Sequence, residues 1–436
     1  MADFDLILRR ENDTDIGVAD GLFVAIEPEI SGSCRFEIVL GDRKLFPGFI
    51  DAHVHFNEPG RAEWEGFETG SRALAAGGGT VFCDMPLNSS PPVVDAAAFE
   101  QKRKIGEEKS CIDFALWGGL IPGNQREIPA MAELGAIGLK AFMADSGLDE
   151  FPWVTPDDLR EGMKAAAAVN LPVAVHAESQ AYLASLPQPD ETGVKGFLQS
   201  RPIAAEVEAI RIACELSGET GCALHIVHVS SAEGVNEVEK AKGIGVDVTI
   251  ETCPHYLFFC DKDMIDLGAV AKCAPPLRSP HEVGALISKL VAGSIDTIGS
   301  DHSPALPEMK GGEFAEAWGG ISGCQHAFPA FLSKFPDFVD LLTINPAARM
   351  GLAHRKGSIE TGKDADFTIV DFSKTEAIAK ESLLYRHPIS AWIGREMQCR
   401  IEMTFCRGRQ VYGSGRIPST QQQNLCSPYL ARQELT

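Results

Sequence analysis

Runs of consecutive apolar residues alternate along most of the chain with segments that have helical periodicity. The runs are continuously apolar rather than alternating, which is typical of parallel strands buried on both faces. Thr155 and Pro156 form a helix-start signal, and three glycines from Gly77 end an earlier helix. The pattern predicts strands at 47–56, 79–85, 113–120, 136–143, 171–178, 223–230, 246–253 and 295–301, and helices at 62–76, 155–169, 203–217 and 281–292.

Strand and helix units that repeat over about 260 residues predict an α/β fold, a TIM (β/α)8 barrel at residues 47–355, rather than an open doubly wound sheet. No GxGxxG turn follows the first strand, which disfavours nucleotide binding. Short strands separated by polar turns flank the barrel on both sides. We therefore predict a small β-sandwich formed by both chain termini (1–46 plus 356–417) and an extended tail at 418–436.

Composition narrows the possible partners. The chain has 436 residues and a net charge of −22, which argues against nucleic acid or an anionic membrane surface as a partner. No apolar run approaches the ~20 residues of a membrane helix, and the N-terminus lacks a secretory pattern. The 12 cysteines form no CxxC pair and suit a reducing compartment. We expect a cytoplasmic protein that acts on a small molecule.

The candidate chemistry begins at the end of the first predicted strand, with His53 and His55. Side chains at positions i and i+2 of a strand point to the same face, so both imidazoles can meet one metal ion. An HxH pair alone is a weak signal, because surface histidines often have this spacing. Four further candidates lie near the ends of later predicted strands: Lys140, His176, His228 and Asp301.

Each of these residues also has a structural interpretation. Lys140 could be a surface lysine, although a buried neutral lysine can add CO₂ to give a carbamate that bridges two cations. His176 and His228 could be core histidines, an interpretation that is the better one for His225, and Asp301 could cap a helix. Together, however, such residues at the ends of strands 1, 4, 5, 6 and 8 favour a metal site, because barrel enzymes place their sites on that face.

Ordered motifs carry a resemblance to a known family. The segments PGFIDAHVHFNEPG, GLKAFM, VHAE, HIVHVSS, ETCPHYL, CAPPLR and GSDHSP resemble the cyclic-amide branch of the amidohydrolase superfamily, over residues 1 to about 415. That branch includes dihydroorotases, dihydropyrimidinases or hydantoinases, and allantoinases. Within it, EPGRAEWEGFETGSRALAAGGG, DMPLN, FMADSGLDEFPWVT and AWGGISG resemble allantoinases most closely.

The resemblance implies two divalent metal ions, with zinc first and cobalt, iron or manganese as alternatives. The HxH pair and Asp301 would hold one ion, His176 and His228 the other, and a carboxylated Lys140 would lie between them. Asp301 would also be the catalytic acid–base residue. A homotetramer is implied as well. The complete set of implied metal ligands is His53, His55, Lys140, His176, His228 and Asp301.

Two departures from the related families point to a neutral substrate. Dihydroorotases carry an arginine where this chain has Asn57, which offers no bidentate cation to a carboxylate. Dihydropyrimidinases carry a tyrosine where this chain has Asp145. We therefore expect hydrolysis of allantoin to allantoate, a step of purine degradation. The alternatives are another cyclic amidohydrolase (a dihydroorotase or a hydantoinase) and, more remotely, a non-catalytic structural relative of dihydropyrimidinases that has lost its metal ligands.

Substrate contacts are harder to read from the sequence. Asn57, Asn88 of the MPLN motif and Ser322, within the backbone segment 320–323, are candidates for binding the substrate. Arg61 or Arg278 could still supply a cation from a nearby loop, which would weaken the preference for a neutral substrate.

Overall fold

The computed structural model describes residues 3–11, 13–413, 415–418 and 429–432. The strands are β1 (Phe4–Arg9), β2 (Asp15–Ala19), β3 (Leu22–Glu27), β4 (Cys34–Val39), β5 (Lys44–Pro47), β6 (Phe49–Val54), β7 (Gly79–Asp84), β8 (Asp113–Leu116), β9 (Gly118–Gly119), β10 (Leu139–Phe142), β11 (Val173–His176), β12 (Leu224–Ile226), β13 (Val248–Thr252), β14 (Thr297–Ile298), β15 (Phe367–Asp371), β16 (Glu376–Ala377), β17 (Glu396–Met397), β18 (Arg400–Cys406) and β19 (Arg409–Gly413).

The α-helices are α1 (Phe67–Ala76), α2 (Ala96–Lys109), α3 (Ile128–Glu133), α4 (Pro156–Ala168), α5 (Gln180–Ser185), α6 (Gly193–Ser200), α7 (Ile203–Thr220), α8 (Ala232–Gly243), α9 (Pro254–Phe258), α10 (Asp261–Leu267), α11 (Pro280–Val291), α12 (Ala327–Lys334) and α13 (Ile344–Arg349). Short 3₁₀ helices lie at Gln125–Glu127, Gly268–Ala271, Pro307–Lys310, Pro336–Leu342 and Lys380–Ser382.

Two parallel sheets, β6-β7-β8 and β9 through β14, form the barrel. Strands β8 and β9 are separated only by Trp117 and occupy one position of the barrel. A parallel bridge between Val54 and His302 closes the ring, and the amide of Ser300 donates to Oδ1 of Asp51 at 3.0 Å. Each of the predicted barrel runs contains an observed strand, so the predicted TIM barrel is confirmed.

Burial explains why these runs are continuously apolar. Every residue of β6, β7, β8 and β11 is buried, because one face packs into the barrel and the other against the helices. Helix α4 begins where the sequence predicts it, since Thr155 and Asp158 form a reciprocal capping box. The capping box fixes the residue at which α4 begins.

The two chain termini build the second part of the fold together. One sheet has the order β3-β2-β1-β4, and the other, β19-β18-β15-β5, pairs β5 of the N-terminal flank with β15 of the C-terminal flank. Leu6, Phe23, Phe367 and Phe405 lie in the apolar core that these sheets share. The predicted β-sandwich from both termini is confirmed, whereas its boundaries at residues 46 and 356 stay a prediction. Strand β2 was not predicted.

Most of the predicted tail at 418–436 lies outside the described residues. Of the part that is described, the Leu430 amide donates to the Phe114 carbonyl at 2.7 Å, and the Tyr429 hydroxyl donates to the Leu134 carbonyl at 2.9 Å. Residues 429–432 therefore lie against the barrel. Among the described residues no helix has the length and apolar character needed to cross a membrane.

A buried charge cluster joins the barrel to the sandwich. The ammonium group of Lys356 is bonded to Asp113 at the start of β8 and lies 2.8 Å from Asp364 and 2.7 Å from Asp366. Arg407 approaches Asp113 from the sandwich side at 2.8 Å. Because all three carboxylates are nearly inaccessible to water, their cationic partners are needed to offset the cost of desolvation.

We expect Lys356→Met to lower the free energy of unfolding by roughly 3–5 kcal/mol, because it leaves buried carboxylates without their main cation. Urea unfolding followed by tryptophan fluorescence measures this loss. The control is Lys164→Met, which breaks an exposed ion pair with Glu161 and should cost less than about 1 kcal/mol. Equal urea midpoints for the two variants would contradict the structural role of the cluster.

Candidate active site

The six candidate metal ligands meet at the carboxyl ends of the barrel strands. His53 lies in β6, Lys140 in β10, and His176 is the last residue of β11, while His228 and Asp301 follow β12 and β14 closely. All of them, with His55, line one cavity of about 850 Å³. The structure thus brings together every metal ligand that the sequence suggested.

The ligand atoms fall into two neighbouring groups. In the first, Oδ1 of Asp301 lies 3.3 Å from Nε2 of His53 and 3.4 Å from Nε2 of His55. In the second, Nδ1 of His176 lies 3.1 Å from Nε2 of His228. The rings of His53 and His228 have centroids 5.5 Å apart, so the two groups adjoin.

Protonation states in this cluster suit metal binding. Burial, followed by the nearby Lys140, lowers the pKa of His53 and His228, so both rings are neutral at physiological pH. Burial alone would raise the pKa of Asp301, but the surrounding histidines outweigh it and hold that pKa well below its ordinary value. Neutral imidazoles beside an ionised carboxylate are a donor set for divalent transition metals.

Lys140 is the least expected member of the cluster. Its side chain is fully buried, and Nζ has no hydrogen-bond partner among the described residues. The contact that stands out is with the ring of Phe142, whose centroid is 5.2 Å from Nζ. Burial lowers the pKa of Lys140 to about 8. Since a buried lysine without an ion pair is rare, Lys140 is a candidate for a functional role rather than a structural one.

Two buried carboxylates, which were not predicted from the sequence, contact the ring nitrogens of His53 and His176 that face away from the cluster. Oε1 of Glu251 lies 2.7 Å from Nδ1 of His53, and Oε2 of Glu178 lies 2.8 Å from Nε2 of His176. Burial would raise the pKa of both acids, but their basic neighbours outweigh it and lower each pKa to about 2. Because the carboxylates are ionised, each histidine carries its proton on the outer nitrogen. The inner nitrogen keeps a lone pair for a metal.

A signal for these carboxylates was present in the sequence. Glu251 interrupts the apolar run of β13, and Glu178 follows two residues after a candidate ligand. An acid in a strand that is buried on both faces must have a partner, because an unpaired buried charge is costly.

Strained backbone conformations are concentrated at this site. Asn57, Asn88, His228 and Asp301 have φ angles of 67°, 66°, 41° and 45°. Residues other than glycine adopt positive φ at a cost of order 1–3 kcal/mol, which is tolerated where the surrounding structure fixes the chain. All four residues were singled out as candidates from the sequence.

The candidate substrate contacts differ in position. Asn88 lines the cavity, and its Nδ2 lies 3.3 Å from Oγ of Ser303. Asn57 does not reach the cavity wall; it is fully buried and donates to the Pro304 carbonyl at 3.3 Å. Ser322 also lies outside the wall, and within 320–323 only Gly320 contributes to it. Direct contacts of Asn57 and Ser322 with the substrate therefore stay predictions, since neither residue lines the cavity.

The cationic groups of the cavity wall are already engaged. Besides Lys140, the wall contains Arg201 and Lys272. Arg201 is paired with Glu178, and Nζ of Lys272 donates to the carbonyls of residues 314, 315 and 317 at 2.8, 3.0 and 2.6 Å. Arg61 and Arg278, the possible additional cations, do not line the cavity.

Comparison with known proteins gives consistent results. The profile of the amidohydrolase family matches residues 45–411. A protein named allantoinase from Solibacter usitatus is 48% identical, with 92% of this chain and 91% of that protein aligned. Another protein of that name, from Rubrobacter xylanophilus, is 46% identical over 96% of both chains. The structure of an L-hydantoinase (dihydropyrimidinase) from Arthrobacter aurescens superposes with a TM-score of 0.93 at 30% identity, covering 98% of this chain and 100% of the other.

Proposed function

The chain belongs to the amidohydrolase family, and we propose that it works as an allantoinase, which opens the hydantoin ring of allantoin by hydrolysis and yields allantoate. The names of its relatives support this substrate. The reaction belongs to purine degradation. Hydrolysis of a cyclic amide is the activity common to the enzymatic alternatives, so the choice among those depends on the shape and charge of the cavity.

The observation that carries the choice of substrate is the charge of the cavity wall. Among the described wall residues, Arg201 and Lys272 are committed to protein acceptors. Dihydroorotate carries a carboxylate that needs a cation on binding, because burying an unpaired charge is costly. Allantoin is neutral and rich in hydrogen-bonding groups, so it makes no such demand. The side chain of Asn88 and the backbone at Gly320 are the proposed contacts for its ureido arm.

We assign the metal ligands as two groups. His53, His55 and Asp301 would hold one divalent ion, and His176 with His228 the other; zinc is the first choice, with cobalt, iron or manganese as alternatives. Bound metal would supply Lewis acidity and favour the ionisation of water near neutral pH. The residues fit this role, because the inner nitrogens converge within each group and Nζ of Lys140 is buried without a partner among the described residues.

We propose that Lys140 carries a carbamate that links the two groups. The neutral amine attacks CO₂, a C–N bond forms, and one proton is released to solvent. The product is an anion that offers two oxygens as donor atoms, whereas the free amine offers one nitrogen. Complete burial favours the reactive form of the lysine, because it favours the uncharged amine over the ammonium ion.

Asp301 is the proposed acid–base residue. Its low pKa keeps the carboxylate ionised at neutral pH, so it has no proton of its own and can accept one; Oδ1 is oriented towards His53 and His55. As water adds to the ring carbonyl, Asp301 accepts its proton; as the ring C–N bond breaks, Asp301 delivers that proton to the departing nitrogen. Without this transfer the nitrogen would leave as an unstabilised anion.

The remaining proposals concern assembly and location. We propose a homotetramer, following the family resemblance, which size-exclusion chromatography with light scattering tests. A cytoplasmic location is proposed because the described cysteines are free thiols. The next experiment distinguishes the proposed allantoinase from the alternatives, which are a dihydroorotase, a hydantoinase and a non-catalytic structural protein.

We expect allantoin to be hydrolysed with a higher kcat/KM than dihydroorotate, dihydrouracil or hydantoin after reconstitution with zinc and bicarbonate. A missing charge-assisted pair of roughly 1.5–3 kcal/mol corresponds to about one to two factors of ten against dihydroorotate. A dihydroorotate kcat/KM equal to or above that of allantoin would refute the assignment. No turnover of any of the four compounds by metal-loaded protein would favour the structural alternative.

Lys140→Ala should remove the proposed bridge, so both turnover and metal content should fall sharply. Metal analysis and an allantoin assay measure these losses. Short carboxylic acids added with metal should partly restore activity, because they can replace the carbamate. Wild-type rates from this variant without added acid would contradict the carbamate proposal.

Asp301→Asn keeps an oxygen near both histidines but cannot carry the proton. Turnover should fall by ~10²–10⁴, the range for loss of general acid–base catalysis. Metal content, measured on the same preparation, should fall much less. The opposite pattern, retained turnover with lost metal, would limit Asp301 to binding metal.

A further inference from the structure

One of the candidate ligands is connected to the cavity wall through a pair of buried charges. A single oxygen of Glu178, Oε2, accepts from Nε2 of His176 at 2.8 Å and from the guanidinium of Arg201. Glu178 is fully buried, whereas the side chain of Arg201 is 21% exposed and lines the cavity. The guanidinium therefore lies between the substrate space and the carboxylate that orients His176.

The other group of ligands has no such connection. The carboxylate of Glu251 supports His53, and its second oxygen lies 3.7 Å from Nε2 of His225. No arginine or lysine forms an ion pair with Glu251 among the described residues. The two groups are thus supported differently. The carboxylate of Glu251, beside His53, has only histidines as basic partners among the described residues, whereas the carboxylate of Glu178, beside His176, is shared with Arg201 of the cavity wall.

Further buried polar contacts fix the backbone of Arg201. Its carbonyl accepts from the guanidinium of Arg278 at 2.6 Å. Arg278 also donates through Nε to Oγ of Ser230 at 2.9 Å, and Ser230 in turn donates to the buried Glu206. Arg201 is therefore held at both its backbone and its side chain, as a residue that positions another group must be.

We propose that Arg201 is a positioning residue for the second metal-binding group, acting through Glu178 on His176. This inference rests on the metal centre of the proposed function. Removal of the guanidinium leaves the Glu178 carboxylate buried without the partner that fixes its position, so the carboxylate no longer stays beside His176. His176 then loses the acceptor that fixes its proton and its ring orientation, and the ion held with His228 binds more weakly.

Metal titration against a competing chelator tests the proposal. Arg201→Gln and Glu178→Gln should each weaken one of two bound zinc ions by about 10-fold or more, the lower end of the range for loss of such a hydrogen bond. If Arg201 acts only through Glu178, the double variant should match Glu178→Gln alone. Arg201→Lys keeps the charge and should recover part of the affinity. Arg211→Gln, which breaks an exposed pair with Glu215, is the surface control.

A background variant assigns the effect to one group. In His176→Ala the second group is already lost, so adding Arg201→Gln should not change the affinity of the remaining ion. Adding Glu251→Gln should weaken that ion, because Glu251 supports His53. Cobalt substitution gives a second readout, since the visible spectrum of the second ion should change with Arg201→Gln.

Two outcomes would overturn the proposal. The first is wild-type affinity for both ions in Arg201→Gln and Glu178→Gln, with only a lower melting temperature, which would make the pair purely structural. The second is additive losses in the double variant. Failure of the proposed function looks different: the affinity pattern would hold while allantoin is not hydrolysed.

Discussion

The candidate active site depends on how the carboxyl ends of the barrel strands accommodate several polar side chains that are buried together. Parallel strands converge at their carboxyl ends, so side chains far apart in sequence are forced into one small space. Burial lowers the pKa of His53 and of Lys140, so the imidazole is neutral and the amine is easier to deprotonate. Burial alone would raise the pKa of Asp301, but the surrounding histidines lower it and keep the carboxylate ionised. The same desolvation that would destabilise isolated charges thus prepares a set of metal donors.

Outer hydrogen bonds complete this arrangement. Glu251 and Glu178 occupy the outer nitrogens of His53 and His176 and leave the inner nitrogens free. The strained backbone at His228 and Asp301 places two further donors where a relaxed chain would not. Such strain lowers stability locally and is tolerated because the packed strands around it fix the chain.

The sequence was sufficient for the barrel because each buried strand appears as an apolar run. It was also sufficient to bring the candidate ligands together, because they lie at the ends of such runs. It was not sufficient for β2, whose short run lies between polar turns, or for Glu251, whose partner His53 is far away in sequence. It also did not reveal the role of Glu178, because a pattern does not show that its side chain meets both His176 and the later Arg201. The direction of a loop side chain is also invisible in a pattern. Asn57 lies beside the HxH pair, yet its positive φ carries it to the Pro304 carbonyl instead of the cavity.

Because Asn57 does not line the cavity, substrate specificity depends on the charged residues of the cavity wall as a set. The absence of an arginine at this point matters only if no other cation replaces it. Arg201 and Lys272 are the wall cations besides Lys140, and each already has a protein acceptor. An anionic ring that bound Arg201 would compete with Glu178 for the charge of the guanidinium, and would thereby disturb the support of His176. Under the proposed function, neutral substrates are favoured by the same contacts that would hold the candidate metal ligands in place.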